Sequence, residues 1–219
     1  VLWKDRLRTL AWQPNGGDQA LVNGRAQVYT KNGSASFEAH AMFPAGEGLQ
    51  ALAIKALEER LAREGLFDAQ LKKSLPSLPR RVGVVSSAQA DGLRDFLRSR
   101  ALRAPGIAVL FAEAAVQGAT AAEECVAALE RLDQSGLCDV IAIVRGGGAS
   151  ADLLPFSEEI LVRAIAAAQT PVVVGIGHEP DHPISERAAD AVAHTPTHAA
   201  ECIFPDLQAY TEQLNRLGA

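Results

Sequence analysis

From Ala20 to Met42 the chain reads ALVNGRAQVYTKNGSASFEAHAM, a near alternation of apolar and polar residues broken at Asn23-Gly24 and Asn32-Gly33. Period-two patterning punctuated by Asn-Gly marks tight hairpins, so this stretch predicts a three-stranded antiparallel meander. Three short strands rarely make a stable barrel alone, which gives the expectation that the chain enters this domain part-way along it. From Gly48 to Gly65 the period lengthens. Leu49, Leu52, Ala53, Ala56, Leu57 and Leu61 recur at i, i+3 and i+4, predicting one face of an amphipathic helix ended by Gly65. The following KKSLPSLPR, with two prolines and several basic residues, reads as a linker between domains.

Beyond Arg81 the pattern becomes an alternation of short apolar runs and helical stretches. RVGVVS, IAVLFA, DVIAIV and PVVVGI are β-branched runs of the kind buried on both faces of a parallel sheet. Thr120-Ala121-Ala122-Glu123 predicts a capping box at the second helix, and Ser157 with Glu158 and Glu159 a capped, acidic start to the third. The fold class is therefore α/β, an open parallel sheet preceded by a smaller antiparallel segment. Leu207, Tyr210, Leu214 and Leu217 stand at heptad-like spacing and predict the beginning of a longer helix. The expected division is residues 1–47 for the β segment, 48–80 for helix and linker, 81–206 for the α/β domain and 207–219 for the opening of a C-terminal coil.

Composition narrows the class. With 219 residues, 48% hydrophobic and 21% charged, the chain is neither disordered, collagen-like nor a disulfide scaffold. The longest uncharged stretch, Ala164 to Gly177, has 14 residues and a proline, short of a membrane helix. VLWKDRLRTL lacks a signal core, so a cytoplasmic location is expected. Cys125, Cys138 and Cys202 lie far apart, without zinc-ligand spacing, and read as reduced thiols. The net charge of −5 is unevenly spread: residues 1–80 hold 11 Lys and Arg against 8 Asp and Glu, whereas residues 81–219 hold 10 against 18, all 10 of them Arg. Arginine's planar fork suits phosphate and carboxylate, although an arginine-biased genome produces the same excess.

In an open parallel sheet, ligands bind outside the carboxyl ends of the strands. The first strand is followed by Ser86-Ser87-Ala88-Gln89-Ala90-Asp91-Gly92, small and hydroxyl residues running into a helix N-terminus. The third is followed by Arg145-Gly146-Gly147-Gly148, where glycines with access to positive φ let the backbone approach a ligand and the arginine supplies a charge-assisted phosphate contact. This loop is neither a GxxxxGK[ST] nor a GxGxxG fingerprint. The fourth is followed by Gly177-His178-Glu179-Pro180-Asp181-His182, in which a histidine and a carboxylate three residues on can transfer a proton or ligate a metal. His194 and His198 form a second pair, interrupted by Pro196, for which surface or capping roles are the simpler reading.

Taken in order, these motifs resemble the large subunit of bacterial exodeoxyribonuclease VII. The matching run is Val28-Tyr29, Gly46-x-Gly48, Glu64-Gly65-Leu66-Phe67-Asp68, Leu75-Pro76 to Pro79, Gly83-Val84-Val85-Ser86-Ser87, Arg103-x-Pro105, Val116-Gln117-Gly118, Arg145 with its glycines, Asp152-Leu153, Phe156, Gly177-His178-Glu179-x-Asp181, Asp190, and Thr195-Pro196 with Ala199-Ala200-Glu201. The resemblance implies a partial OB-fold for single-stranded DNA, a catalytic α/β domain, and a C-terminal coiled coil that binds a small subunit. It implies a DNA-repair exonuclease that cuts single strands from either end into oligonucleotides with 5′-phosphates, with no strict need for added Mg or other divalent metal. Catalytic roles then fall to Asp95, Arg145, His178 and Asp181, and substrate binding to Ser86, Ser87, Gln117, Gly146, Gly147 and Gly148. The chain departs from the family at Ala149, Ala151, Pro180, Val192 and His194, which removes a hydroxyl, a carboxylate and a guanidinium. Two alternatives stand beside this reading: a catalytically weakened DNA-binding homologue, and an α/β enzyme for a nucleotide or other phosphorylated ligand.

Overall fold

The computed structural model describes residues 19–29, 34–147, 150–177, 182–207 and 211. The chain divides into two compact units, Val1–Glu59 and Arg60–Ala219.

In the first unit β1 (Ala20–Tyr29) pairs antiparallel with β2 (Ser34–Pro44), from Ala20 opposite Pro44 to Tyr29 opposite Ser34. The expected three-stranded meander is thus, among the described residues, a two-stranded sheet. Asn23-Gly24 makes no turn: Asn23 faces Ala41 and Gly24 faces Ala39, so the register slips by one inside a continuous strand. An Asn-Gly pair serves a bulge as readily as a hairpin, and continuous pairing on both sides selects the bulge here. Asn32-Gly33 lies outside the described residues.

Helix α1 (Ala45–Arg63) begins three residues before the predicted start. Its expected apolar stripe is used at the last turn, where Leu61 is fully buried, whereas Leu52 is exposed. Gly65 stops the helix in the left-handed region, at φ 80°, and the Leu66 amide donates back to the Leu61 carbonyl.

The second unit is built on five strands, all parallel: β3 (Arg81–Ser86), β4 (Ala108–Glu113), β5 (Val140–Val144), β6 (Val172–Gly175) and β7 (Ala191–Val192), in the order β4-β3-β5-β6-β7. The four apolar runs are four of these strands, and the two-residue β7 adds an edge. β5 and β6 are buried throughout, but β4 is half-exposed because it forms the other edge. Between the strands run α2 (Asp91–Arg103), α3 (Ala121–Gln134), a 3₁₀ helix (Ser150–Ser157) with α4 (Glu159–Ala167), then α5 (Ile184–Ala188) and α6 (Pro196–Ile203). On one face Val82, Val84, Val140 and Ala142 pack with Phe96 of α2 and with Ala199 and Ile203 of α6, and Phe96 meets Phe204 edge-on at 5.4 Å. On the other, α3 and α4 pack together, and Gly83 leaves room for Leu132, Cys138 and Ile141.

Aspartates fasten the N-terminal ends of the strands. Asp139 accepts the amides of Arg80 and Arg81, Asp133 those of Gln169 and Thr170, and the buried Asp190 those of Lys73 and Val172 while pairing with the Lys73 ammonium at 3.2 Å. The Arg81 and Arg80 amides hold the Asp139 carboxyl below its ordinary range. Two predicted caps are built differently. Thr120 makes no cap bond and instead donates to Glu124, and Ser157 accepts the Ile184 amide while α4 starts after Glu158. Thr120 has found its partner one turn into its own helix, and Ser157 a tertiary one that the local pattern does not contain. Of the heptad-spaced residues, Tyr210, Leu214 and Leu217 lie outside the described residues, and Leu207 packs on the core. Among the described residues no helix is long and apolar enough to cross a membrane.

Candidate active site

The strand order places the carboxyl ends of β3 and β5 side by side while their connections leave in opposite directions, β3 toward β4 and β5 toward β6. Such a switch point leaves a crevice that neither connection covers. A cavity of about 350 Å³ opens there.

Three loops line it. After β3 come Ser87, Gln89, Ala90 and Asp91; after β4, Ala115, Val116 and Gln117; after β5, Arg145, Gly146 and Gly147. Each loop is fixed by its own chemistry. Ser86 is fully buried and donates to the Val144 carbonyl at 2.8 Å, tying the two central strand ends together and leaving the cavity wall to Ser87. The Ala115 amide donates to Glu124 at 2.8 Å, and the buried Cys125 thiol donates to the Ala115 carbonyl. That amide, with the Thr120 hydroxyl, holds the Glu124 carboxyl below its usual value.

Gly92 and Gly146 bring the first turn of α2 against the β5 loop. A Cβ on Gly92 would stand 2.4 Å from the Gly146 nitrogen and 2.6 Å from the Arg145 carbonyl carbon, so only glycine permits this approach. Gly146 and Gly147 do not take the positive φ expected of the glycine run, the left-handed glycines among the described residues being Gly65, Gly118 and Gly136, and Gly148 lies outside the described residues. Ala90 precedes α2 without a capping side chain, so the helix's first amides face the cavity end uncapped by it.

Arg145 is 5% exposed, and its guanidinium donates from Nη2 to Asp152 Oδ2 at 3.0 Å. A guanidinium buried to this extent needs an anionic partner, and Asp152, at the start of the 3₁₀ helix, supplies one. The structure thus gathers Ser87, Gln117, Arg145, Gly146 and Gly147 around one cavity. Asp95 sits one turn further along α2, exposed, while Asp91, paired with Arg94, lies at the cavity wall. Gly148, His178 and Asp181 lie outside the described residues. Sequence reasoning missed Gly92 and Asp152 as site residues; the first had a signal in a glycine placed just inside a helix, the second in an aspartate shortly after a glycine run.

His182 Nδ1 lies 2.9 Å from Oε2 of the buried Glu186. The His182 and His194 rings meet edge-on at 6.3 Å, and His194 and His198 at 5.8 Å. Thr195 caps α6 through the His198 amide, and His198 Nδ1 accepts the His194 amide, so this pair has the capping role of the simpler reading. Among the described residues no three His, Cys, Asp or Glu side chains converge to hold a metal ion. A cavity of this size, with an arginine, peptide amides, a serine and a glutamine, is equipped for a phosphate-bearing ligand.

Comparison with known proteins points the same way. The family described as "Exonuclease VII, large subunit" matches residues 66–219. The chain is 46% identical over 203 residues to the exodeoxyribonuclease 7 large subunit of Acaryochloris marina, covering 93% of this chain and 49% of that one. Its counterpart in Cyanothece sp. is 42% identical over 218 residues, 99% of this chain and 51% of the relative, and that of Corynebacterium efficiens 48% over 191 residues, 87% and 46%. The chain therefore spans about half the length of the curated relatives it matches.

Proposed function

The chain belongs to the exonuclease VII large-subunit family, and on that premise we propose that it carries the catalytic sheet of a nuclease that hydrolyses single-stranded DNA from either end into oligonucleotides with 5′-phosphates. The observation that carries this reading is the buried Arg145 beside glycine amides at the switch-point cavity. A scissile phosphodiester gains negative charge in the transition state, and fixed donors in a water-poor site stabilise that charge strongly.

Arg145 and the amides of Gly146, Gly147 and Gly148 neutralise the phosphoryl oxygens, with Ser87 and Gln117 holding the flanking backbone. His178 moves the proton to or from water or the leaving oxygen, Asp181 orients that imidazole, and Asp95 positions the water. Divalent metal such as Mg assists without being strictly required. The antiparallel segment, read as part of an OB-fold, grips the single strand, and a coiled coil following the α/β domain binds the small subunit in a cytoplasmic complex. The departures at Ala149 and Ala151 remove polar groups near Arg145, so the expected rate is below that of relatives that keep them.

The test is a digest of end-labelled single- and double-stranded DNA by the full-length chain with its small subunit, with and without chelator. Selective release of 5′-phosphorylated oligonucleotides from single strands supports the reading. Tighter binding of a mononucleotide than of a long single strand overturns it. Loss of His178 and Asp181 together should cost little more than His178→Ala alone, since residues serving one proton transfer are not additive.

A further inference from the structure

We infer that Asp152 is a positioning residue, which holds the Arg145 guanidinium in register with the glycine loop and acts on phosphate only through that arginine. The inference rests on the reading of Arg145 as the phosphate-neutralising group.

Arg145 directly follows β5 and Asp152 lies in the first turn of the 3₁₀ helix, so their bond spans the segment that contains the glycines. Gly146, Gly147 and Gly148 have no side chains with which to fasten that segment. The bond ties the residue before those glycines to one that follows them. The contact runs from Nη2 to Oδ2. Burial differs across the pair. The Arg145 side chain is 5% exposed, whereas that of Asp152 is 36% exposed, so the carboxylate sits on the solvent side of the guanidinium and reaches down to it. The Gly92 backbone lies against the Arg145–Gly146 peptide. Arg145 is thus set from two sides, its backbone by α2 and its charged end by Asp152.

An orienting carboxylate has a particular kinetic signature. Removing it leaves the arginine's charge available for ground-state attraction while releasing its aim, so turnover falls more than binding. A displacement of about 1 Å in a positioned group costs up to about 100-fold in rate. The experiment uses the full-length chain with its small subunit and a labelled oligothymidylate, comparing the unaltered chain, Asp152→Ala, Asp152→Asn, Arg145→Ala and the Arg145→Ala/Asp152→Ala pair. Expected is a fall in kcat of about 10- to 100-fold for Asp152→Ala, with KM moved less than about threefold. Asn retains an oxygen acceptor for Nη2 and restores part of the loss. In the Arg145→Ala background, Asp152→Ala should lower the rate no further. An undiminished kcat in Asp152→Ala, or an equal loss in both backgrounds, overturns the inference. If Asp152→Ala fails to melt cooperatively, the Asn variant carries the same comparison, and an undiminished kcat, or an equal loss with and without Arg145, overturns the role. An unaltered complex that leaves oligothymidylate intact refutes instead the nuclease reading. The same variants are then compared for inorganic phosphate binding, where a change of less than about threefold on Asp152→Ala beside a clear loss on Arg145→Ala agrees with the positioning role, and a loss on Asp152→Ala as large as that on Arg145→Ala overturns it.

Discussion

Gly92→Ala places one methyl group where the α2 helix meets the β5 loop. Ordinary Cβ contacts begin near 3.4 Å, and the two atoms awaiting this one stand at 2.4 and 2.6 Å, both in peptide backbone. No side-chain rotation relieves the overlap, so the first turn of α2 or the Arg145–Gly146 peptide must move by about 1 Å. Overpacking of this kind costs about 1–3 kcal/mol, with the upper end appropriate where backbone meets backbone. Replacing a helical glycine by alanine returns up to about 1 kcal/mol of helix propensity, leaving a net loss of about 2 kcal/mol. For a unit of this size each kcal/mol lowers Tm by about 2–4 °C, giving an expected fall of about 4–8 °C. Calorimetry measures it, with Gly106→Ala as control, since a Cβ there meets nothing within 4 Å. The displaced loop should also slow any DNA digestion, because it moves the peptide that carries Arg145. A Gly92→Ala chain that melts within 1 °C of the control and digests single strands at the unaltered rate would refute the packing argument.

Three further outcomes follow from the same structure. Arg145→Lys keeps the charge but loses the planar fork, and should depress digestion almost as far as Arg145→Ala; recovery of most of the rate by lysine would show that charge alone suffices. Hydrogen bonds from Arg60 and then Arg163 hold the Glu159 carboxyl down to about 2 from an ordinary value of 4.5. The stability this gives is therefore complete above pH 4.5 and disappears as pH falls toward about 2; Glu159→Gln should flatten the profile of Tm against pH across that window, and added salt should shrink the difference because the pair is exposed. Burial, with the nearby Glu124 charge, pushes the Cys125 thiol up to about 12, whereas Cys202 lies at the surface. A thiol titration at pH 8 should find Cys202 accessible in the native chain and Cys125 and Cys138 only after denaturation.

The parts of the fold carried by local pattern were legible before any coordinates. Val82 to Val85, Val140 to Val144 and Val172 to Val174 are β-branched runs whose burial follows from their composition, and they place Arg145 at a strand end. What escaped was decided by distant partners. β7 is two residues long, too short for any period, and exists because Val173 and Val174 offer an edge to pair with. Ser157 looks like a cap until the Ile184 amide, 27 residues on, takes its hydroxyl. The demand for glycine at position 92 comes from the Arg145–Gly146 peptide, far along the chain, and Asp152 declares its role only by its distance from a guanidinium. His178 and Asp181 were read from sequence and family resemblance alone.

The aspartate fastenings of Asp133, Asp139 and Asp190 all lie at the N-terminal ends of the strands, opposite the cavity. Register and strand order are therefore secured at one end of the strands, and the cavity opens at the other. A molecule organised this way is free to vary its cavity end while keeping its shape. Val192, one of the positions where the chain departs from the family pattern, ends β7 on the cavity side of the sheet. A substitution there leaves the aspartate fastenings untouched, so a chain altered at that end should still melt as a well-formed protein.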